Sequence, residues 1–429
     1  MDVNIRPVRR LEGEISLPGD KSISHRAIIL SGIAKGRSRI EHFLPSRDCM
    51  STLNCLRSLG VNIHMIDETT LEVEGVGQGG LKEPGDVLDA GNSGTTMRLL
   101  SGLLAGQPFF SILTGDVSLR QRPMKRILQP LQQMGARVYG RDQDRFAPLA
   151  IRGGPLKPID HTMKVASAQV KSAIMLAALY AQGQTVIREP ASSRDHTERM
   201  LRYLGKDLQT TNLEICIKGG GQLQAGLISI PGDISSAAYF LVAAIVVRKS
   251  KLEFKGVGVN PSRRGIVDVL RKMGAQISMD NERVVSNELI ADIEVRSAEL
   301  SGIEISGKIV PTMIDELPII AVAATQAKGT TTVRDAAELR VKETDRIHAI
   351  ASELSKLGAH IEERDDGWVI EGPTPLRGAR CRSHGDHRLA MALAVAGLIA
   401  REELFIQDAE CVGISFPDFF ANIKKIARH

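Results

Sequence analysis

The sequence predicts an α/β (α+β) protein of two domains, each holding three βαβαββ repeats with buried helices inside and sheets outside. Three observations carry this. At 429 residues the chain exceeds one ordinary core, since single domains run to roughly 100–200 residues. A single phrase recurs six times along it: a turn, an apolar small-residue helix, a glycine, a strand, then an amphipathic helix ending in Leu/Met-Gly. The first helix of each copy is apolar around most of its circumference, as a helix enclosed on nearly all sides must be.

The first copy opens Leu17-Pro-Gly-Asp-Lys-Ser-Ile-Ser-His-Arg26 and closes at Leu59-Gly60. The second runs from Gly91-Asn-Ser-Gly-Thr-Thr-Met-Arg98 to Met134-Gly135, and the third from Ser167-Ala-Gln-Val-Lys171 to Leu204-Gly205. The fourth opens Ile230-Pro-Gly-Asp-Ile-Ser-Ser-Ala237 and closes at Met273-Gly274; the fifth spans Asp315-Glu-Leu-Pro318 to Leu357-Gly358. The sixth starts Gly385-Asp-His-Arg388 and fades toward the end of the chain. The second and fifth openings lack the Pro-Gly-Asp turn, so the symmetry is loose. Within a copy the second helix is one-sided: Met124, Ile127, Leu128, Leu131 and Met134 recur at helical spacing, as do Ile347, Ile350, Ala351, Leu354 and Leu357. Alternating segments such as Val61–Ile66 and Leu71–Glu74 read as half-solvated strands. Three copies per domain place the boundary near Ile230–Asp233, giving domains of 18–232 and of 1–17 plus 233–429, with a first strand over Val3–Ser16 pairing back onto the C-terminal half.

Composition excludes several classes. With 43% hydrophobic and 24% charged residues, the chain is neither disordered nor a multi-span membrane protein. Its longest apolar runs, such as Ala390–Ala400, fall short of the ~18–20 residues that cross a bilayer. The N-terminus carries charge from its second residue and reads as neither a secretory signal nor a transit peptide. Cys49, Cys55, Cys216, Cys381 and Cys411 are scattered without a C-x-x-C pair, which fits reduced thiols in a cytoplasmic protein and gives no metal site. Aromatics at 3% supply no stacking platform for nucleic acid, and a net charge of +5 without a basic block points to small anions instead.

Chemistry concentrates where the buried helices open. A helix N-terminus presents unpaired N–H groups and a positive dipole end, where anions are favoured. Asp20, Ser22, Asp233 and Ser235 suit ordinary capping there. Lys21, Arg26, Arg98, Lys171 and Arg388 do not, because a cation near a helix start opposes the dipole unless an anion compensates. A second basic set adds Arg122, placed before Pro123 with the proline expected at the first helical position. The octad Leu339-Arg-Val-Lys-Glu-Thr-Asp-Arg346 is expected to put Lys342 and Arg346 on one helix face with Glu343 beside Arg346. Such forked donors suit carboxylates and phosphates.

These motifs, in this order and over essentially the whole chain, resemble the 5-enolpyruvylshikimate-3-phosphate (EPSP) synthase family of enolpyruvyl transferases. The resemblance implies two three-repeat domains with an active site in the cleft between them. It implies transfer of the carboxyvinyl group of phosphoenolpyruvate to the 5-hydroxyl of shikimate-3-phosphate, by a monomer, with no metal or organic cofactor and no nucleic-acid or membrane partner. Lys21, Ser22, Arg26, Ser167, Gln169 and Lys342 match the family's shikimate-3-phosphate contacts. Gly94, Arg122, Arg346 and Arg388 match its phosphoenolpyruvate contacts. Asp315 matches the base, which also binds substrate, Glu343 the acid, and Lys21 a proton carrier for the leaving phosphate. Ala168, Glu338, Ile414 and Leu99 depart from the commoner residues Ser, Asn, Lys and Pro, and Arg194 in Ser193-Arg-Asp-His196 follows a divergent branch. A sister family of the same fold, the UDP-N-acetylglucosamine enolpyruvyl transferases, would carry a Cys within Thr114–Arg122 and an Asn after Lys21; neither is present. A non-catalytic phosphosugar-binding protein of this fold would have no use for the Asp315 and Glu343 pair.

Overall fold

The computed structural model describes residues 1–428. They form two compact units. One contains Met1–Pro18, Pro231–Arg283 and the chain from Leu289 onward; the other contains Gly19–Ile230 together with the short segment Val284–Glu288, which no repeat pattern singles out. No helix among the described residues is long and apolar enough to cross a membrane.

Each repeat contributes one buried helix and one sheet. In the second repeat Leu88–Asp89 pairs in parallel with Phe110–Thr114, and Gly94–Ala105 is the helix that connects them. A parallel pair needs such a crossover, which is why an apolar helix recurs between two short strands. Phe146–Arg152 and Arg137–Gly140 then extend the sheet antiparallel. Asp160–Thr162, Ala168–Ala178 and Gln184–Arg188 repeat the arrangement in the third copy, as do Arg380–Arg382, His387–Leu398 and Leu404–Gln407 in the sixth.

Two repeats borrow their first strand from elsewhere in the chain. In the first copy, Leu227–Ser229 lies parallel to Lys35–Glu41, so the last strand of that unit closes its first sheet. In the fourth, Arg10–Ile15 lies parallel to Lys251–Gly258, while Val3–Ile5 pairs antiparallel with Leu404–Gln407. The N-terminal segment therefore completes the sheets of the unit that holds the C-terminal half.

The buried helices are apolar on every side because sheets and neighbouring helices surround them: Ile234 to Ile245 are all buried in Ile234–Val246. Small residues let the helices approach closely. A Cβ added at Gly102 would lie 2.1 Å from the backbone oxygen of Ala173 on the adjacent helix. The glycines that end the amphipathic helices take positive φ, from 88° at Gly205 to 106° at Gly274, the left-handed turn that reverses the chain after a helix.

Two local expectations change. Lys125–Gln133 is preceded by Met124 at the N-cap, so Pro123 sits outside the helix and not at its first position. The preceding Leu119–Gln121 forms a 3₁₀ turn ending at Arg122, and this turn fixes Arg122 in extended backbone. Lys342 does not share a helix with Arg346. Asp345 caps Arg346–Lys356 by accepting from the His348 N–H at 3.1 Å, so the helix starts at Arg346 and Lys342 stays extended behind it.

Candidate active site

The unit containing Gly19–Ile230 gathers cations at three helix openings. Asp20 caps Lys21–Gly32 through the Ile23 N–H, placing Lys21 at the first helical position, where its Nζ meets Asp48 at 3.1 Å. Ser22 follows, and its carbonyl accepts from Arg26 Nη1 at 2.8 Å. The rest of the Arg26 fork reaches Thr197 Oγ1 at 2.7 Å and Ser172 Oγ at 2.9 Å. These acceptors are neutral, and burial lowers the Arg26 guanidinium to about 10. Ser93 caps Gly94–Ala105. A Cβ on Gly94 would stand 2.7 Å from Arg98 Nη1 and 3.4 Å from Arg122 Nη1, so the bare glycine lets both guanidiniums lie against the helix start. Arg98 donates to Gln169 Oε1 at 2.5 Å, Gln169 donates to Thr95 at 3.0 Å, and Arg122 donates to Asn92 at 2.6 Å. Ser167 caps Ala168–Ala178 through the Val170 N–H. Lys21 and Gln169 are thus held at helix openings by polar contacts, and Arg122, held by Asn92, lies against the Gly94 opening.

Lys171 belongs elsewhere. It is 1% exposed, and its Nζ lies 2.8 Å from Glu189 and 2.7 Å from Glu198, both buried. Burial works to lower its pKa, but Glu198 and Glu189 hold it above the usual lysine value. Its place at a helix start is compensated by protein carboxylates and not by a ligand.

The other unit builds a cluster of alternating charge. Asp315 precedes Leu317–Gln326; its carboxylate meets Arg346 Nη1 at 3.2 Å, Arg388 Nη2 at 3.7 Å and Lys342 Nζ at 3.9 Å. Arg346 also holds Glu343 at 2.5 Å and Asp386 at 2.7 Å, so one guanidinium links three carboxylates. Burial works against Arg346, yet Asp386 and then Glu343 raise its pKa above the ordinary arginine value. Burial lowers Lys342 in spite of Asp315. Asp386 in addition caps His387–Leu398 through the Arg388 N–H at 2.8 Å, which fixes Arg388 in the first turn.

Sequence reasoning passed over Asp48, Asn92 and Asp386. Asp386 lies inside the Gly385–Arg388 motif, and cap logic marks it, but its grip on Arg346 depends on a helix 40 residues away. Among the departures, Leu99 is buried within its helix and Ile414 packs against the apolar core of its unit.

The family model for EPSP synthase (3-phosphoshikimate 1-carboxyvinyltransferase) matches residues 5–423. The chain belongs to the EPSP synthase family. It is 52% identical to the 3-phosphoshikimate 1-carboxyvinyltransferase of Desulforamulus reducens over 99% of both chains, and 53% identical to that of Geobacillus kaustophilus over 98% of both. Among solved structures, the EPSP synthase of Acinetobacter baumannii superposes with a TM-score of 0.90 at 42% identity, covering 99% of this chain and 98% of that one. The enolpyruvyl transferase NikO of Streptomyces tendae shares the fold, with a TM-score of 0.79 at 18% identity. The two-domain enolpyruvyl transferase fold that the resemblance implied is therefore the fold of this EPSP synthase family member.

Proposed function

We propose that this chain transfers the carboxyvinyl group of phosphoenolpyruvate to the 5-hydroxyl of shikimate-3-phosphate, giving EPSP and inorganic phosphate on the route to chorismate and the aromatic amino acids. The observation that carries the chemistry is Asp315 within reach of Lys342, Arg346 and Arg388, with Glu343 bonded to that same Arg346.

Asp315 takes the 5-hydroxyl proton as the oxygen adds to C2 of phosphoenolpyruvate. Glu343 delivers a proton to C3, and a tetrahedral ketal forms. The C2–O bond to phosphate then breaks, a C3 proton returns to a carboxylate, and Lys21 protonates the departing phosphate. Lys21, Ser22, Arg26, Ser167, Gln169 and Lys342 bind shikimate-3-phosphate. Gly94, Arg122, Arg346 and Arg388 bind phosphoenolpyruvate, the arginine forks matching its carboxylate and phosphate. The same reading expects a cytoplasmic monomer.

Phosphate release from phosphoenolpyruvate, measured with and without shikimate-3-phosphate in buffer containing chelator, tests the reading. Release that needs both substrates and survives chelation is the expected result. Shikimate-3-phosphate binding without release would leave a binding protein and overturn it.

A further inference from the structure

Beneath the Lys21 and Gly94 openings runs a buried chain of polar side chains that no step above uses. His25 Nδ1 lies 2.6 Å from Thr52 Oγ1, Thr52 Oγ1 lies 2.7 Å from Thr96 Oγ1, and Thr96 Oγ1 lies 2.7 Å from Ser93 Oγ. All four side chains have no measurable exposure. They come from three helices, Lys21–Gly32, Arg47–Ser58 and Gly94–Ala105, with Ser93 the cap of the last. The chain connects to the proposed binding groups at both ends. His25 is one turn from Lys21, and Thr96 also reaches the carbonyl of Asp48, whose carboxylate holds Lys21. Ser93 lies between Gly94 and Asn92, the partner of Arg122.

The chain has a direction. His25 Nε2 has no hydrogen-bond partner among the described residues. A buried N–H without an acceptor costs more than an unused lone pair, so the proton belongs on Nδ1, donating to Thr52. Thr52 then donates to Thr96, whose single hydroxyl proton is shared between Ser93 Oγ at 2.7 Å and the Asp48 carbonyl at 3.3 Å. The ring stays neutral, since burial, then Lys21 and Arg26, press its pKa well below 6.5. Buried polar networks of this kind favour one arrangement of the elements they join.

We propose that Thr52 and His25 are positioning residues for phosphoenolpyruvate, locking the Arg47–Ser58 and Gly94–Ala105 helices in the register that sets Asn92, Gly94 and Arg122. This rests on the reaction proposed above. The two residues touch no substrate in it and act through the Ser93 cap.

The test compares Thr52→Val, which exchanges the hydroxyl for a methyl of the same shape, with Thr52→Ser, which keeps the hydroxyl. In Thr52→Val the KM for phosphoenolpyruvate rises about three- to tenfold, the scale of one buried hydrogen bond. The KM for shikimate-3-phosphate moves less than twofold, and Thr52→Ser restores the wild-type value. Thr52→Ala serves the same comparison should the valine variant not fold. Equal rises in both KM values without rescue by serine, or kinetics unchanged in a folded Thr52→Val enzyme, overturn the inference while wild-type turnover still upholds the reaction. Absence of wild-type turnover overturns both.

Discussion

Replacing Lys171 by Met separates a structural cation from the ligand-binding cations that resemble it in sequence. The side chain is 1% exposed, and its Nζ contacts Glu198 at 2.7 Å, Glu189 at 2.8 Å and the Ser193 carbonyl at 3.4 Å. Methionine fills a similar volume but leaves two buried carboxylates facing each other. Removing one partner from a buried ion pair costs about 3–5 kcal/mol. At about 2–4 °C per kcal/mol for a unit of this size, the melting transition falls by roughly 6–20 °C. The loss depends on pH with a definite sign. Burial already raises the Glu198 pKa above the usual carboxylate value. Without Lys171 it rises further, so the folded variant binds more protons than the unfolded chain and its stability declines as pH increases. Calorimetry at pH 5 and pH 7.5 therefore shows the larger deficit at pH 7.5. Assayed well below its transition, the folded variant keeps both KM values within about threefold of wild type. A variant with unchanged melting and weakened substrate binding would refute the reasoning and return Lys171 to the anion site.

Three further outcomes are expected. Asp315→Asn lowers kcat by about 10²–10⁴-fold, the range for a lost general base, while calorimetric titration still detects shikimate-3-phosphate binding. Gly94→Ala displaces the guanidiniums of Arg98 and Arg122, which a new Cβ would meet at 2.7 and 3.4 Å. Its KM for phosphoenolpyruvate rises by about ten- to a hundredfold with melting close to wild type. His25 has a depressed folded pKa, so its contribution to stability is present above pH 6.5 and lost as pH falls below it, with a slope of up to about 1.4 kcal/mol per pH unit. Denaturant titrations between pH 5 and 7.5 should show a flatter pH dependence for His25→Gln than for wild type.

The repeats were legible because each unit must solve the same local problem: an apolar crossover helix, a capped opening and a left-handed glycine leave their marks within about 70 residues of sequence. The strand exchange was partly legible. A first strand over Val3–Ser16 could be expected to pair with the distant half, but nothing in Leu227–Ser229 announces that it completes the sheet of Lys35–Glu41. Within the site, Lys21, Arg26 and Arg388 stood out because cations at helix openings are unfavourable without an anion, and Arg122 because it precedes Pro123. The same logic misread Lys171, because its compensating charges, Glu189 and Glu198, follow by 18 and 27 residues and only tertiary packing brings them inward. Asp48, Asn92 and Asp386 went unnoticed for the converse reason. They look like ordinary turn and cap residues, and their hold on Lys21, Arg122 and Arg346 exists only once the helices are packed.

In the role proposed for it, Glu343 must be protonated when it meets the vinyl carbon, yet here it lies 2.5 Å from the Arg346 guanidinium, a partner that favours a carboxylate's charged form. The cluster contains the means to reverse this. Arg346 divides its five N–H donors among Asp315, Glu343 and Asp386. Asp386 is fully buried and bonded to the guanidinium Nε, so it keeps the arginine in place whatever the other two carboxylates do. An anionic substrate that accepts from Nη1 and Nη2 competes with Asp315 and Glu343 for those donors. Its negative charge then favours the protonated form of the carboxyl it displaces. In the reaction proposed above, phosphoenolpyruvate bound to Arg346 takes the place of Glu343 and Asp315 on that guanidinium, so that Glu343 leaves its ion pair and Asp315 stays beside Lys342. On that proposal the substrate's charge, delivered to an arginine anchored from behind by Asp386, sets the protonation state that the transfer requires.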